Sequence, residues 1–325
     1  MRWEKTLMHI RLASILVMLC GLVGGARAAD KVTIALNWVP EPEFGGIYQA
    51  QLDGTFAKNG LDVEIKPGGA GAPTWQRVAS GQVEYAVASA DEVVIARANG
   101  ADVVAIFTIY QTCPQAIMTH ASRGYKSLAD VFNGGGTLAL EIGLPYGKFL
   151  EKKYGLSKVK RIPYTGGIAN FLADANFSQQ CFVFSEPLAA KKSGGDPQTF
   201  LVADSGYNPY TGVIITRSEI AKAKPDQVSA MVKSLGDGWR AYQSDAKRAN
   251  DAMGKLNKSM DAETFAAAAE AQKPLIQPPG PENLVLGTMT SERWHDLVGQ
   301  LVDLGIIDKS KAPAPNECFI GTGGK

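Results

Sequence analysis

Two residue types are scarce in this 325-residue chain: histidine occurs three times and cysteine four times. No His or Cys stands at the short spacings that hold a metal, so neither a metal centre nor any other cofactor is expected. Beyond the N-terminal segment only His120, His295, Cys113, Cys181 and Cys318 remain, and an odd number of cysteines rules out a fully paired disulfide framework. Buried or free thiols are the simpler expectation, and whether Cys318 pairs with Cys113 or Cys181 stays open. No G-x-G-x-x-G follows a strand, and the glycine-rich turn at residues 68–71 lacks the Lys and Ser/Thr of a phosphate-binding loop. There is no G-x-S-x-G either, nor another nucleophile-base motif.

Charge of one sign is missing too, with 33 basic and 32 acidic residues. Four of the basic residues and one acidic residue fall in residues 1–28, which leaves 29 and 31, a formal charge of −2 for the remainder. No basic patch or arm points to nucleic acid. Arg2, Lys5 and Arg11 precede an almost uncharged run at residues 12–23, followed by Ala26, Arg27 and Ala28. That run is too short for a bilayer, which takes roughly 20 residues, and the pattern is that of a cleaved secretory signal over residues 1–28. Cys20 follows the run, but Val17, Met18 and Leu19 are not the small residues that precede a lipidated cysteine. A soluble, exported, periplasmic protein is expected.

What is present is alternation. Residues 32–36 read as a strand, with Val32, Ile34 and Leu36 on one face. It stops at Asn37 and Trp38, because Pro40 and Pro42 forbid both helix and ladder pairing, and Gly45-Gly46 open a helix expected over residues 47–58. An amide, a large ring and two carboxylates, Glu41 and Glu43, thus stand at a strand's C-terminal end, where open α/β sheets bind ligands. Further strands are expected at 61–66, 83–88 and 103–109, with helices between them, in the order of a doubly wound sheet. The pattern restarts at Gln115, with strands at 116–118, 137–140, 158–162 and 181–184, and helices opening at Ser127, Gly147, Ile168 and Glu186. A strand from Gly212, a long Ala-rich helical region at 225–273 and a helix at 291–304 close the chain.

This order implies an α/β protein of two lobes: 29–114 with 206–325 forming the first and 115–205 the second, joined by two crossings that make a hinge. The cleft between them would close around a small solute. A monomer is expected, since lobes that must swing gain nothing evident from a large homo-oligomeric interface.

Asn37, Trp38 and Pro40 with Gly46-Ile47-Tyr48, the segment at residues 81–89, Ser127 to Asp130, and Phe184-Ser185-Glu186-Pro187 together resemble the NMT1/THI5-like, SsuA-related periplasmic solute-binding proteins of ABC transporters. The resemblance runs in order from about residue 31 to about 217. It implies a type II periplasmic binding fold, no enzymatic activity, and a ligand delivered to a membrane permease. In the branch that binds pyrimidine precursors, the matching positions make Trp38 a stacking ring, Asn37 and Glu186 polar readers, and Ser89 a first-lobe contact. The implied ligand is a small aromatic nitrogen heterocycle, a thiamin-pyrimidine precursor or a flavin such as riboflavin. An alkanesulfonate, nitrate or taurine is the alternative. Fungal members of the family make a thiamin pyrimidine with a His and a cysteine-rich motif, which this chain lacks.

Further candidates for ligand contact are Glu41, Tyr48, Asp91, Tyr146 and Tyr164. Each has a structural account beside the functional one. Ser89 and Asp91 fit helix N-caps, and Glu186 fits a carboxylate at a helix start, worth roughly 0.3–1 kcal/mol. Glu41 and Glu43 fit either a solvated loop or a site for a cationic or amino-bearing solute.

Overall fold

The computed structural model describes residues 29–69, 71–278 and 285–321. The signal peptide expected over residues 1–28 lies outside them. Ten strands follow one another along the described chain: β1 (Asp30–Ala35), β2 (Leu61–Lys66), β3 (Tyr85–Ser89), β4 (Val104–Tyr110), β5 (Gln115–His120), β6 (Thr137–Leu140), β7 (Lys160–Pro163), β8 (Phe177–Phe182), β9 (Pro197–Leu201) and β10 (Thr211–Thr216). They form two five-stranded sheets, ordered β2-β1-β3-β10-β4 and β7-β6-β8-β5-β9. Each sheet is mixed rather than all-parallel as a doubly wound reading would have it. The strands entered by crossing between sheets are the antiparallel ones: β10 against β3 and β4, and β5 against β8 and β9.

Both faces of the first sheet are covered at β3, β10 and β4, which explains the nearly unbroken apolar runs there. Ile34, Tyr85, Val87, Ile106 and Ile214 face one core, while Ala35, Ala86, Ala88, Ala105, Val213 and Ile215 face the other. All seven residues of β4 are buried.

Several expected boundaries moved, for local reasons. The helix expected over 47–58 is two, Gly45–Leu52 and Thr55–Lys58, broken where Gly54 adopts a φ of +67°. The helical region at 225–273 is also divided, into Pro225–Ser244, Lys247–Leu256 and Ala262–Ala271. At both breaks a short polar side chain takes over a backbone N–H: Asp245 accepts from Lys247 at 3.0 Å, and Asn257 accepts from Ser259 at 3.0 Å. The strand expected at 181–184 is β8, shifted toward the N-terminus onto Ser178, Gln179 and Gln180. Those polar side chains are buried because each has a partner, including Thr119 for Ser178 and the Gly167 carbonyl for Gln179. Cys113, Cys181 and Cys318 are all buried and unpaired.

The chain passes between sheets at residues 111–114 and 202–210. The two segments are tied together: the Cys113 N–H donates to the Asn208 side chain at 2.8 Å, and the Arg293 guanidinium donates to the carbonyls of Gln111 and Asn208, both at 2.8 Å. Arg293 also lies 3.8 Å over the Tyr210 ring.

Helix Gly45–Leu52 is held by close approach to helix Pro225–Ser244. A Cβ on Gly238 would lie 2.2 Å from the Gly46 carbonyl oxygen, and one on Gly46 would lie 2.3 Å from the Trp239 ring. Gly238→Ala is therefore expected to destabilise by several kcal/mol, as overpacking against a rigid backbone does. Gly236→Ala in the same helix meets nothing nearer than the flexible Arg240 guanidinium at 3.7 Å. It should be neutral or stabilising by up to ~1 kcal/mol through helix propensity. Urea midpoints of the two variants check this contrast, and equal losses would contradict the packing argument.

Candidate functional site

The loop after β1 has no ladder to satisfy its backbone, so other segments do so. The Gly68 N–H donates to the Trp38 carbonyl at 3.0 Å, and a Cβ on Gly68 would sit 2.1 Å from the Leu36 carbonyl oxygen, so this turn is fixed by close approach. Side-chain amides from the C-terminal helices do the rest: Asn257 donates to the Pro40 carbonyl at 3.2 Å and Gln272 to the Pro42 carbonyl at 2.9 Å. Pro42–Phe44 then forms a single 3-10 turn that buries Glu43 and leads into helix Gly45–Leu52.

This loop meets the second sheet at Ser185 and Glu186. The Ser185 hydroxyl donates to Glu41 at 3.4 Å, and the Asn257 amide reaches the other Glu41 oxygen at 3.4 Å. Glu186 opens helix Glu186–Lys192 and accepts from the Phe182 N–H at 2.9 Å and the Tyr164 hydroxyl at 3.0 Å. Glu43 is only 8% exposed, and among the described residues no donor reaches its carboxylate.

Three carboxylates thus share one region, and all three hold their protons more tightly than usual. Burial raises Glu41 first and the Glu186 charge second; the Trp38 indole, Ser185 and Asn257 pull back, leaving it at about 7. Glu43 is pushed well up by burial, then by Glu41 and Glu186. Burial also raises Glu186, against the backbone N–H groups and Tyr164 that favour its charged form. Among the described residues no Lys, Arg or His contributes to any of the three.

Aromatic rings line the same region. Tyr110, the last residue of β4, stacks on Phe184 with centroids 5.6 Å apart, and Phe182 meets Phe184 edge-on at 5.6 Å. Trp38 is half-buried against the large core that includes Tyr110 and Phe184. The Tyr110 hydroxyl donates to Gln272, the residue that also holds the Pro42 carbonyl. Two polar atoms nearby in sequence, Asn37 Oδ1 and the Tyr48 hydroxyl, are buried without a protein partner among the described residues. Leaving such groups unpaired costs about 1–3 kcal/mol each, so they mark where an added hydrogen bond would be worth most.

The remaining sequence candidates have internal partners. Ser89 donates its hydroxyl to Asp91, and its N–H to Glu92 at 2.8 Å; Tyr207 donates to Asp91 at 3.0 Å. Tyr146 donates to Gln180 at 2.6 Å, which also accepts the Glu141 N–H at 2.6 Å. Burial, Asp91 and, from the second sheet, Glu141 push Glu92 up to about 7. Ser89 and Asp91 therefore belong to one satisfied set with Glu92 and Tyr207, and Tyr146 to another with Gln180 and Glu141, while Trp38, Glu41, Tyr164 and Glu186 gather at the meeting of the lobes. Sequence reasoning missed Tyr110, Asn257 and Gln272. Tyr110 ends a fully apolar strand, the place where ligands are expected, and that signal was there to use. A shallow concavity of about 610 Å³ over β1 and β2, lined by Lys31, Thr33, Glu64 and Glu84, has neither ring nor buried unpaired group.

These shifts fix a pH dependence. Glu41 and Glu92 bind their protons more tightly folded than unfolded, so their contribution to stability is fully present below pH 4.5 and is lost as pH rises through about 7. Each group contributes on the order of 3 kcal/mol at most, and Glu43, Glu186 and Asp91 act in the same direction. Asp196, lowered to about 2 chiefly by its bond to His120, acts oppositely but only below pH 4. The ligand-free protein should be most stable near pH 5 and lose stability steadily to pH 8. Urea denaturation across that range checks this, and a midpoint that climbs from pH 5 to 8 would overturn it.

Against known proteins, the chain is 26% identical over 225 residues to the riboflavin-binding protein RibY of Chloroflexus aurantiacus, covering 63% of this chain and 60% of that one, so less than two thirds of that relative is spanned. It is 22% identical over 291 residues to the formylaminopyrimidine-binding protein of Halalkalibacterium halodurans, covering 85% and 86% of the two chains. In structure it is similar to the periplasmic aliphatic sulphonate binding protein SsuA of Escherichia coli, with a TM-score of 0.70 at 13% identity over 91% of this chain and 94% of that one. At that identity the likeness speaks for the fold alone, and the fold is the two-lobed periplasmic binding fold expected from the sequence. Residues 41–249, more than half of the chain, match the family described as NMT1/THI5 like, and the chain belongs to that family.

Proposed function

We propose that this protein is the extracytoplasmic solute-binding component of an ABC-type importer, taking a small flat nitrogen heterocycle with amino substituents into the cleft between its lobes and delivering it to a membrane permease. The observation that carries the reading is the half-buried Trp38 ring beside Glu41 and Glu186, with Asn37 Oδ1 and the Tyr48 hydroxyl buried and unpaired close by in the chain. A ring face that is partly desolvated suits a flat partner. Carboxylates that accept from ring amino groups give directional, charge-assisted recognition. Trp38, Asn37, Glu41, Tyr48, Tyr164 and Glu186 are the contacts assigned to this solute, with Ser89, Asp91 and Tyr146 shaping the wall beside the crossings. The names of the two relatives, one for riboflavin and one for a formylaminopyrimidine, support this class of solute.

The anionic alternative, an alkanesulfonate, nitrate or taurine, fits the charges poorly. Among the described residues a buried anion there gains no cation to face, and it meets repulsion wherever Glu41, Glu43 or Glu186 is ionised. A binding role rather than catalysis is supported by the state of the reactive groups: burial pushes the Cys113 and Cys318 thiols up to about 11 and 12, and both nitrogens of His120 are engaged, by Asp196 at 2.5 Å and the Phe171 carbonyl at 2.9 Å. The lobes assigned are 29–114 with 206–325, and 115–205. Export on a cleaved signal at residues 1–28 and action as a monomer belong to the same proposal.

Thermal denaturation of the purified protein with aminopyrimidines, thiamin, riboflavin, alkanesulfonates and nitrate tests it. A solute at a hundred times its Kd adds about 2.7 kcal/mol, a rise of roughly 5 °C or more in Tm. The expected result is such a rise with a flat heterocycle, abolished in Trp38→Ala. A rise with a sulfonate or nitrate that survives in Trp38→Ala would overturn the reading.

A further inference from the structure

The cleft holds more negative charge than recognition of a neutral heterocycle needs. Glu41 comes from the loop after β1, Glu43 from the turn that follows it, and Glu186 from the start of a helix in the other lobe. The groups facing them from the packed elements are Trp38, Tyr110, Tyr164, Cys181, Ser185, Asn257 and the Phe182 N–H. Every donor among these is neutral. Glu41 accepts from Ser185 on one oxygen and Asn257 on the other, with the Trp38 indole beside it, and Glu186 accepts from the Tyr164 hydroxyl and the Phe182 N–H. Glu43 has none among the described residues, although it is more than nine-tenths buried.

A carboxylate that has lost most of its water and has no donor is costly to ionise, and it is relieved by protonation or by a bound positive group. The two free oxygens of Glu43 match a planar group bearing several N–H bonds better than a quaternary nitrogen, which donates nothing. The half-buried Trp38 ring supplies flat apolar surface and, for a cation, an attractive face.

We propose that the solute carries a positive charge on an N–H-bearing group, an amidinium, a guanidinium or a protonated amine joined to a flat ring, and that Glu41, Glu43 and Glu186 hold that group between the lobes. This rests on the solute-binding reading above and sharpens it from an amino-bearing ring to a cationic one. Because Glu41 and Glu186 belong to opposite lobes, the bound charge bridges them. Binding then competes with protons: affinity for the cation rises as pH increases from 6 to 8, and loading releases protons into the buffer.

Calorimetric titration with benzamidinium and 4-aminopyridinium, against benzamide as a neutral isostere and benzoate as an anion, tests the proposal. The expected result is binding of at least one of the two cations, at least tenfold tighter than benzamide, with no response to benzoate and with proton release that differs between buffers. Glu43→Gln should weaken the cation at least tenfold and leave benzamide unchanged, with the urea midpoint showing the variant to be folded. Glu186→Gln gives a second test should Glu43→Gln fail to fold. Benzamide bound as tightly as benzamidinium, a folded Glu43→Gln or Glu186→Gln with undiminished cation affinity, or no response to either cation would each overturn the proposal. Flat neutral rings that bind in a Trp38-dependent way at least as tightly as either cation would end the cation proposal and leave the heterocycle-binding reading standing. Sulfonate or nitrate binding in place of any ring would end both.

Discussion

Loss of water at Glu41, Glu43 and Glu186, followed by the repulsion of Glu186 on Glu41 and of both on Glu43, is the constraint around which this region is arranged. Each carboxylate has had to be brought in by a segment whose own backbone is satisfied elsewhere. The Pro40 and Pro42 carbonyls, which cannot enter a sheet ladder, are held by Asn257 and Gln272 from the C-terminal helices. Asn257 also reaches Glu41, and Gln272 also holds the Tyr110 hydroxyl, so the same amides position both the acids and the rings. The C-terminal third is thereby part of the site. Its neutral amides can orient a carboxylate without cancelling its charge, which a Lys or Arg in the same place would do.

That arrangement needs a support that does not yield. Glycines supply it at three approaches: Gly68 against the Leu36 carbonyl, and Gly46 with Gly238 between two helices. Without a Cβ at these points the turn after β2 lies against the end of β1, and helix Gly45–Leu52, which follows the loop, lies against helix Pro225–Ser244. The crossings are built differently. Residues 111–114 and 202–210 are tied by single side chains, Asn208 and Arg293, rather than by packed backbone. A rigid half-site beside a tethered crossing is the mechanical form of a hinge, in which a few terminal residues absorb the change in dihedral angle.

The alternation of apolar runs with Gly, Pro and polar stops made most of the first sheet legible, because β3, β4 and β10 are buried on both faces and read almost continuously, while β2 alternates buried and exposed residues. Trp38 and Glu186 were legible because they stand at a strand end and a helix start. What was hidden follows from long-range partnership. β8 is written in Ser178, Gln179 and Gln180, polar residues that enter a core only because Thr119, Gly167, Glu141 and Tyr146, distant in sequence, complete their bonds. Asn257 and Gln272 are likewise silent, since one stands at a helix break and the other at a helix end, and nothing local distinguishes either from a surface amide. The breaks at Gly54 and Asp245 are local, yet helix-forming neighbours on each side mask them.

The acids also set how the empty and loaded proteins differ. Glu41 raises the pKa of Glu43, and Glu186 raises that of both, so bringing the lobes together over ionised carboxylates works against closure. Ser185 donating to Glu41 across the cleft offsets this only weakly, as one neutral hydrogen bond is worth about 1 kcal/mol. A positive group between Glu41 and Glu186 reverses the sign of the interaction on both sides at once, and its differential affinity for the closed form is what moves the equilibrium. Repulsion then serves selectivity as well as opening: a neutral ring of the same shape fills the cleft without relieving the charge, and so gains the stacking surface but not the closure. Glu43, 8% exposed and pushed well above the usual carboxylate range, is a loss of stability of the kind expected where function and stability compete for the same residue.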